Sequence, residues 1–301
     1  MIWLTGATGY LGNHVLRHLV ERGRRVRCLL LPEGRIDPAF ASAVEVVPGD
    51  VTKFETFAAH GSAIDTIVHC AALMLPNPAD RITTVNVEGT ANTIRFARDW
   101  AISRIVHVSA VSAVYASKNV YGISKARAEQ LVVESGLDYT ILRPTMIYGR
   151  GGGLHFAKLV SLIKRAPGVI PVLGPGTARL QPVWIDDVVT AIELALASPQ
   201  AMNRVYNVSG ATVVTFNELV DLIVASAGLR RVKVHVPLAI CAAAAVLIAR
   251  LSESSMLSPE SLRGLSQDAT IDYAPFEHEC GYRPLALAEG LARIFARDAC
   301  A

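Results

Sequence analysis

The sequence predicts an α/β protein: a doubly wound parallel sheet, followed by a smaller C-terminal part of different character. Three observations predict it. Short apolar runs alternate with segments whose apolar residues recur at helical spacing. The first run and the first helix are joined by a turn with glycine at positions 6, 9 and 12. Past residue 145 the alternation gives way to glycine- and proline-rich chain with short strands.

Ile2-Trp3-Leu4 reads as a buried strand, and Asn13 to Val20 places Val15, Leu16 and Leu19 on one helix face. Between them lies Thr5-Gly6-Ala7-Thr8-Gly9-Tyr10-Leu11-Gly12, a strand-turn-helix context of the kind a dinucleotide fingerprint requires. Glycine permits positive φ and a close backbone approach, so that a pyrophosphate can rest on the amides of a helix N-terminus.

Val26 to Leu30 is the second strand, and its end bears on the cofactor. An acid about 20 residues past the glycines would hold the ribose hydroxyls of NAD. Here stand Leu29, Leu30 and Leu31, with no acid until Glu33. Arg27 and Arg35 flank the strand end, where a guanidinium can pair with the 2′-phosphate of NADP; otherwise both are solvated surface arginines. NADP is favoured. Val44 to Val47 is the third strand, and Asp50 beyond it either hydrogen-bonds the adenine amino group or caps a helix through Phe54 and Phe57.

Thr66 to Cys70 is the fourth strand and runs into Ala71-Ala72-Leu73, small enough to pass close under a ligand. His69, in mid-strand, reads as a core histidine. Asn86-Val87-Glu88-Gly89-Thr90 opens a helix through Ala97, and Ile105 to Val108 is a fifth strand ending at Ser109-Ala110-Val111-Ser112. Tyr121-Gly122-Ile123-Ser124-Lys125 opens the next helix, with Tyr121 and Lys125 on one face. A phenol titrates near ~10 in water. An adjacent ammonium and a cationic nicotinamide both favour the phenolate, which makes Tyr121 a usable general base. The same spacing also describes an amphipathic helix with an exposed lysine and a half-buried tyrosine.

Leu137 to Leu142 is a sixth strand, stopped at Arg143-Pro144-Thr145. Gly151-Gly152-Gly153 forms a loop, Leu154 to Ile163 a helix, and Pro171 to Gly174 and Leu180 to Val183 short strands. Asp186-Asp187 reads as an N-cap and first-turn acid ahead of a helix from Val188 to Ala197, rather than as a metal pair. Tyr206-Asn207-Val208 returns to the sheet, followed by a helix from Phe216 to Ala227. Val236 to Ala249 is nearly uncharged but falls short of the ~20 apolar residues of a spanning helix, so a buried or partner-facing helix is expected. Ser258 to Leu265 continues this C-terminal part, and Cys280-Gly281-Tyr282-Arg283-Pro284 precedes a final helix, Leu285 to Phe295.

The chain has 301 residues, 51% hydrophobic and 18% charged, which implies a large, well-buried globular body. A net charge of +3 without a basic patch speaks against nucleic acid as a partner. Cys28, Cys70, Cys241, Cys280 and Cys300 are scattered without a C-x-x-C, which points to a reducing compartment and no structural metal. His14 and His18 share a helix face but bring no third ligand. The glycine turn begins too early for a cleaved signal peptide, so a cytoplasmic location is expected.

Eight blocks carry a resemblance: TGATGYLG at the start, GDVT at 49–52, HCAA at 69–72, NVEGT at 86–90, YGISK at 121–125, LRPTMIYG at 142–149, RLQPVWIDDV at 179–188 and YNVSG at 206–210. In this order, from Ile2 to roughly Gly290, the chain resembles an extended short-chain dehydrogenase/reductase of the NAD(P)-dependent epimerase/dehydratase group. HVSA at 107–110 and LQPVWIDDV also resemble the atypical branch that includes the complex I accessory subunit.

The resemblance implies a Rossmann-type sheet of about seven strands. It implies a dinucleotide domain over residues 1–145, with 183–228 returning to it, and a smaller, discontinuous C-terminal substrate lobe of 146–182 and 229–301. NAD(P) is implied at Gly6, Thr8, Gly9, Tyr10, Leu11, Gly12 and Arg35, at Asp50, Val51, Ala71, Ala72 and Asn86, and at Tyr121, Lys125, Pro144 and Thr145. Arg179 and Gln181 would face a small-molecule substrate, with a nucleotide sugar as the leading class and nicotinamide facing Tyr121.

Two departures stand out. The second member of the family's Ser-Ser or Thr-Ser pair is Ala110 here, leaving Ser109 or Ser112 to polarise the substrate oxygen. Only 11 residues separate Ser109 from Tyr121, a shorter wall than many extended members carry. The implied function is Tyr/Lys-assisted hydride transfer at a hydroxyl or carbonyl carbon, as in a sugar-nucleotide epimerase or dehydratase. Alternatives are an NADPH-dependent carbonyl reductase, similar to dihydroflavonol and hydroxysteroid enzymes, and a non-catalytic dinucleotide-binding protein. A homodimer is compatible with each, and membrane contact is not expected.

Overall fold

The computed structural model describes residues 1–240 and 267–296. The rest of the expected alanine-rich helix beyond residue 240, Ser258 to Leu265, Cys241 and Cys300 lie outside the described residues. The chain forms two compact units. Unit 1 comprises Met1–Pro144, Val188–Val208 and Tyr273–Tyr282, and unit 2 comprises Thr145–Asp187, Ser209–Asp272 and Arg283–Ala301. The segment 183–228 is thus divided: 188–208 clusters with the sheet and the chain from Ser209 with unit 2.

The first six strands are β1 (Ile2–Thr5), β2 (Val26–Leu30), β3 (Val44–Pro48), β4 (Thr66–His69), β5 (Arg104–Val108) and β6 (Asp138–Pro144). Four short ones follow in unit 2: β7 (Ile147–Tyr148), β8 (Val169–Leu173), β9 (Arg179–Leu180) and β10 (Val183–Trp184). The last three are β11 (Arg204–Val208), β12 (Val214–Thr215) and β13 (Val232–Val236). In unit 1 seven strands form one parallel sheet in the order β11-β6-β5-β4-β1-β2-β3. Strand order reverses between β1 and β4, where Thr5 stands opposite His69. In open sheets of this kind, ligands bind outside the strand C-termini at that point.

Helices follow the strands: α1 (Tyr10–Glu21), α2 (Pro38–Ala41), α3 (Ala79–Thr83), α4 (Gly89–Asp99) and α5 (Val120–Val133). Successive strand residues point to opposite faces. On one face Trp3 packs on Phe96 of α4, ring centroids 4.6 Å apart, and on Phe57 at 6.1 Å. All three rings are fully buried, and truncating Phe96 to Ala would cost roughly 3–5 kcal/mol. On the other face lies α1, whose buried stripe is Gly12, Val15, Leu16 and Leu19. The helix expected through Phe54 and Phe57 is only a 3₁₀ turn, Phe54–Thr56, because Asp50 and Thr56 hold the backbone in a local turn. The helix expected from Asn86 begins earlier, with α3, and passes through a π turn at Thr84–Glu88 before α4.

Unit 2 contains α6 (Leu154–Arg165), the start of α7 (Ile185–Ala197), α8 (Phe216–Ser226) and, past the short α9 (Ala274–Cys280) of unit 1, α10 (Leu287–Phe295). Its strands pair as β7 with β10, β8 with β13, and β9 with β12. Tyr148 anchors this unit, 5.2 Å from Phe156 and 5.4 Å from Trp184. A Cβ on Gly290 of α10 would stand 2.1 Å from the Tyr148 hydroxyl, so the helix can pack there only as glycine. Asp186 and Asp187 open α7; Asp187 accepts the Leu285 N–H at 2.7 Å, and burial pushes its carboxyl up to about 6. No described helix is long and apolar enough to cross a membrane.

Candidate active site

The glycine turn leaves β1 through Gly6, whose φ of 75° lies in the left-handed region. A Cβ there would stand 2.7 Å from the Ala71 nitrogen, so the turn rests directly on the chain leaving β4. A Cβ on Gly12 would come within 2.0 Å of the Gly6 carbonyl oxygen, so α1 can close on the turn only as glycine. Gly9 is the N-cap and offers no capping side chain, which leaves first-turn N–H groups for a ligand. Thr8 and Gly9 are exposed, and Tyr10 and Leu11 half-buried. Glycine at 6 and 12 thus lets the turn close on the β4 exit and on α1, and the exposed Thr8-Gly9 turn, whose N-cap brings no side chain to the first-turn N–H groups, fits a pyrophosphate.

The remaining dinucleotide candidates of unit 1 divide into free and engaged groups. Arg27 is engaged: its guanidinium bonds Glu45, His60 O and Ser62 O, which removes it as a 2′-phosphate ligand. Arg35 stays exposed, with Nη1 donating to Pro32 O and Gly34 O. Asp50 Oδ1 accepts from the backbone and hydroxyl of Thr52, both at 2.9 Å, and so shapes the turn that presents Val51. Ala71 and Ala72 follow β4 and are at least partly exposed. Asn86 is buried and occupied: its amide donates to Leu73 O and Ser124 Oγ and accepts from Leu73 N. It fixes the Leu73 loop against α5.

Ser109, Ser112, Tyr121 and Lys125 come together at the C-terminal end of β5 and the first turns of α5. The 3₁₀ turn Val111–Val114 carries Ser112. A Cβ on Gly122 would stand 2.6 Å from Ser112 O, so Gly122 is what lets this turn touch the helix beside Tyr121. The two serines differ in their partners. Ser109 Oγ donates to Glu129 Oε1 at 2.5 Å, whereas the buried Ser112 Oγ has no partner.

Lys125 is 1% exposed and donates from Nζ to Val108 O at 2.7 Å. Burial pushes the ammonium down to about 8, with Glu129 and the nearby Cys70 acting in the opposite sense. Burial also pushes the half-buried Tyr121 phenol up to about 12. Burial thus acts on the phenol in the sense opposite to that expected of an adjacent ammonium and a cationic nicotinamide. At neutral pH the phenol is protonated. His69 is a core histidine, held between Thr5 Oγ1 at 2.8 Å and Thr90 Oγ1 at 3.1 Å, and burial keeps it neutral.

Sequence reasoning missed Gly122, Glu129 and Arg143. The clue was present: Glu129 continues the Tyr121–Lys125 face by one further turn, and Arg143 immediately precedes Pro144. In unit 2, Thr145 Oγ1 donates to Gln181 O at 2.5 Å, and Gln181 bonds Gly210 O and Ile271 N. Arg179 is exposed and paired with Asp268 at 2.9 Å. Pro144 ends β6. Among the described residues no group of three or more His, Cys, Asp or Glu is placed to hold a metal.

A sequence model of the NAD dependent epimerase/dehydratase family matches residues 2–209, the span that holds the cradle and the Tyr121–Lys125 pair. The chain belongs to this family. Its members supply the names of its relatives. A 2-alkyl-3-oxoalkanoate reductase of Shewanella oneidensis is 25% identical over 333 residues, covering 98% of this chain and 85% of that protein. A UDP-glucose 4-epimerase of Vibrio cholerae is 27% identical over 246 residues, with 73% of each covered. Among solved structures, a UDP-glucose 4-epimerase of Thermotoga maritima with UDP-glucose superposes with a TM-score of 0.79 over 100% of this chain and 99% of that one. At 20% identity it shows the fold, a Rossmann-type sheet of the kind described above. As a family member the protein is an NAD(P)-dependent enzyme of the oxidoreductase type.

Proposed function

We propose that the protein is a carbonyl reductase or alcohol dehydrogenase in which Tyr121, Ser112 and Lys125 serve hydride transfer at a ketone or secondary alcohol. The observation that carries it is the unpartnered Ser112 hydroxyl, packed through Gly122 beside a protonated Tyr121. A hydroxyl donor on a turn that packs against Gly122, next to a protonated phenol in sequence, suits a carbonyl oxygen that gains negative charge as it is reduced. NAD(P), held at the Gly6–Gly12 cradle and by Thr8, Tyr10 and Leu11, supplies or accepts the hydride when bound. Asp50, Val51, Ala71, Ala72 and Pro144 complete its proposed surroundings in unit 1, with Arg35 at the 2′-phosphate of NADP.

In the reducing direction Tyr121 Oη gives its proton to the forming alkoxide, and Ser112 Oγ donates a hydrogen bond to the same oxygen. In the oxidising direction the phenol takes the proton back. Lys125 fixes the helix to Val108 O and keeps positive charge under the site. Arg179 and Gln181, proposed for substrate, are engaged with Asp268 and with backbone, so a role for either requires exchange of those bonds.

The whole-chain match to a 3-oxoacid reductase supports the reductase reading. The epimerase relative supports a second: a nucleotide sugar oxidised and then reduced in place. Consumption of NAD(P)H separates the two. Incubation with ketones, 3-oxoacids and UDP-sugars should deplete reduced cofactor stoichiometrically with a ketone. A substrate converted with no net cofactor change sinks the reductase reading in favour of the epimerase.

A further inference from the structure

Tyr121, Lys125 and Glu129 lie four residues apart along α5, and the last two are almost wholly buried, 1% and 7% exposed. The Glu129 carboxylate gathers three elements. Oε1 accepts from Ser109 Oγ at the end of β5 at 2.5 Å and from Arg143 Nε on β6 at 2.9 Å. Oε2 accepts from Arg143 Nη2 at 2.5 Å, which makes the ion pair bidentate. A buried charge is tolerated only when paired and hydrogen-bonded, and this one meets both conditions.

The groups facing Lys125 narrow its counter-charge to one. From α5 comes Glu129, with Tyr121 one turn before Lys125; from β4 and the residue after it come His69 and Cys70, and from β5 His107. Both histidines are driven neutral by burial, and burial pushes the Cys70 thiol and the Tyr121 phenol up to about 12. The charged side chains of the packed α3, π turn and α4 (Asp80, Arg81, Glu88, Arg95, Arg98 and Asp99) are exposed. Glu129 is thus the carboxylate among the groups facing Lys125, and it is ion-paired with Arg143.

We infer that Glu129 is a positioning residue for the Tyr121–Lys125 pair: its carboxylate joins the ends of β5 and β6 to α5 and supplies the counter-charge of the Lys125 ammonium. The inference rests on the role proposed above for Lys125. It also explains why Ser109 is not the substrate-facing serine, since its hydroxyl is spent on this carboxylate.

Glu129→Gln keeps the shape and removes the charge. Glu129 stands one helical turn from Lys125, and an opposite charge close by moves a titration by roughly 1–3 units. The alkaline limb of kcat/KM, set by loss of the Lys125 proton, should therefore move to lower pH by about one unit in this variant. The alkaline weakening of NAD(P)H binding, followed by its fluorescence, should move likewise. Glu129→Asp, which keeps the charge, should leave both limbs in place. Arg143→Met removes a competing cation and should move them upward, and it answers the same question if Glu129→Gln does not fold. A Glu129→Gln protein slowed equally at every pH, with both limbs unmoved, overturns the inference. If the wild type transfers no hydride to any ketone or sugar offered, the proposed function fails, and the binding limb alone still decides for or against Glu129.

Discussion

Ser112→Ala and Ser109→Ala should change activity and stability in opposite ways. Ser112 Oγ is buried without a partner, and such a group costs about 1–3 kcal/mol relative to a satisfied one. Removing it should stabilise the fold by roughly 1 kcal/mol, the lower end of that penalty, or about 1–2 °C in Tm for a chain of 301 residues. The same change deletes a donor to the developing alkoxide and should lower kcat by ~10²-fold, as for loss of one oxyanion donor. Ser109 differs because its hydroxyl serves a carboxylate at 2.5 Å. Hydrogen bonds to charged groups are worth about 1.5–3 kcal/mol, so Ser109→Ala should destabilise by an amount in that range while turnover falls far less. The assay pairs a thermal melt of each variant with initial rates under saturating substrate and cofactor. A Ser109→Ala protein that loses turnover beside an unaffected Ser112→Ala would refute the assignment.

NADP should bind more tightly than NAD, since β2 ends in leucines and Arg35 is exposed there; Arg35→Ala should weaken NADP by ~10-fold or more and spare NAD, as judged by titration. Equal affinities would remove that argument. Acid should destabilise unit 1 through its histidines. His69 is pushed from 6.5 down to about 3, and His107 well below 6.5, so the unfolded chain takes up protons first. The stability this represents is complete above pH 6.5 and is lost as pH falls from there. Both ring nitrogens of His107 lack partners, so His107→Met should flatten the decline of Tm with acid, and an unchanged slope would count against it.

The sheet was legible because each of its strands is an apolar run and its helices carry a clear buried stripe, as Val15, Leu16 and Leu19 do in α1. The glycine cradle was legible for the same reason: only glycine tolerates a carbonyl 2.0 Å from its Cβ position. What sequence could not supply was the pairing of side chains distant in the chain. Glu129 meets Arg143 and Ser109 only after β5, α5 and β6 have packed, and that meeting gives different partners to two serines that look alike in sequence. The same holds for Arg27, whose link to Glu45 follows from the register of β2 with β3. For Tyr121, spacing places a lysine on the same helix face but does not show the burial that raises the phenol. The smaller unit was least legible: Arg179, Leu180, Val183 and Trp184 fall into two short strands that pair with different partners.

Tyr121→Phe tests the central claim most directly. The substitution keeps the ring and removes the proton that Oη exchanges with substrate, so fold and NAD(P)H affinity should persist while hydride transfer falls by 10²–10⁴-fold, on the order of general acid–base loss. Cofactor consumption with the best ketone substrate, measured beside cofactor affinity for wild type and variant, gives both quantities. Retained affinity with lost turnover is the predicted result. Full turnover in the phenylalanine variant would contradict the account.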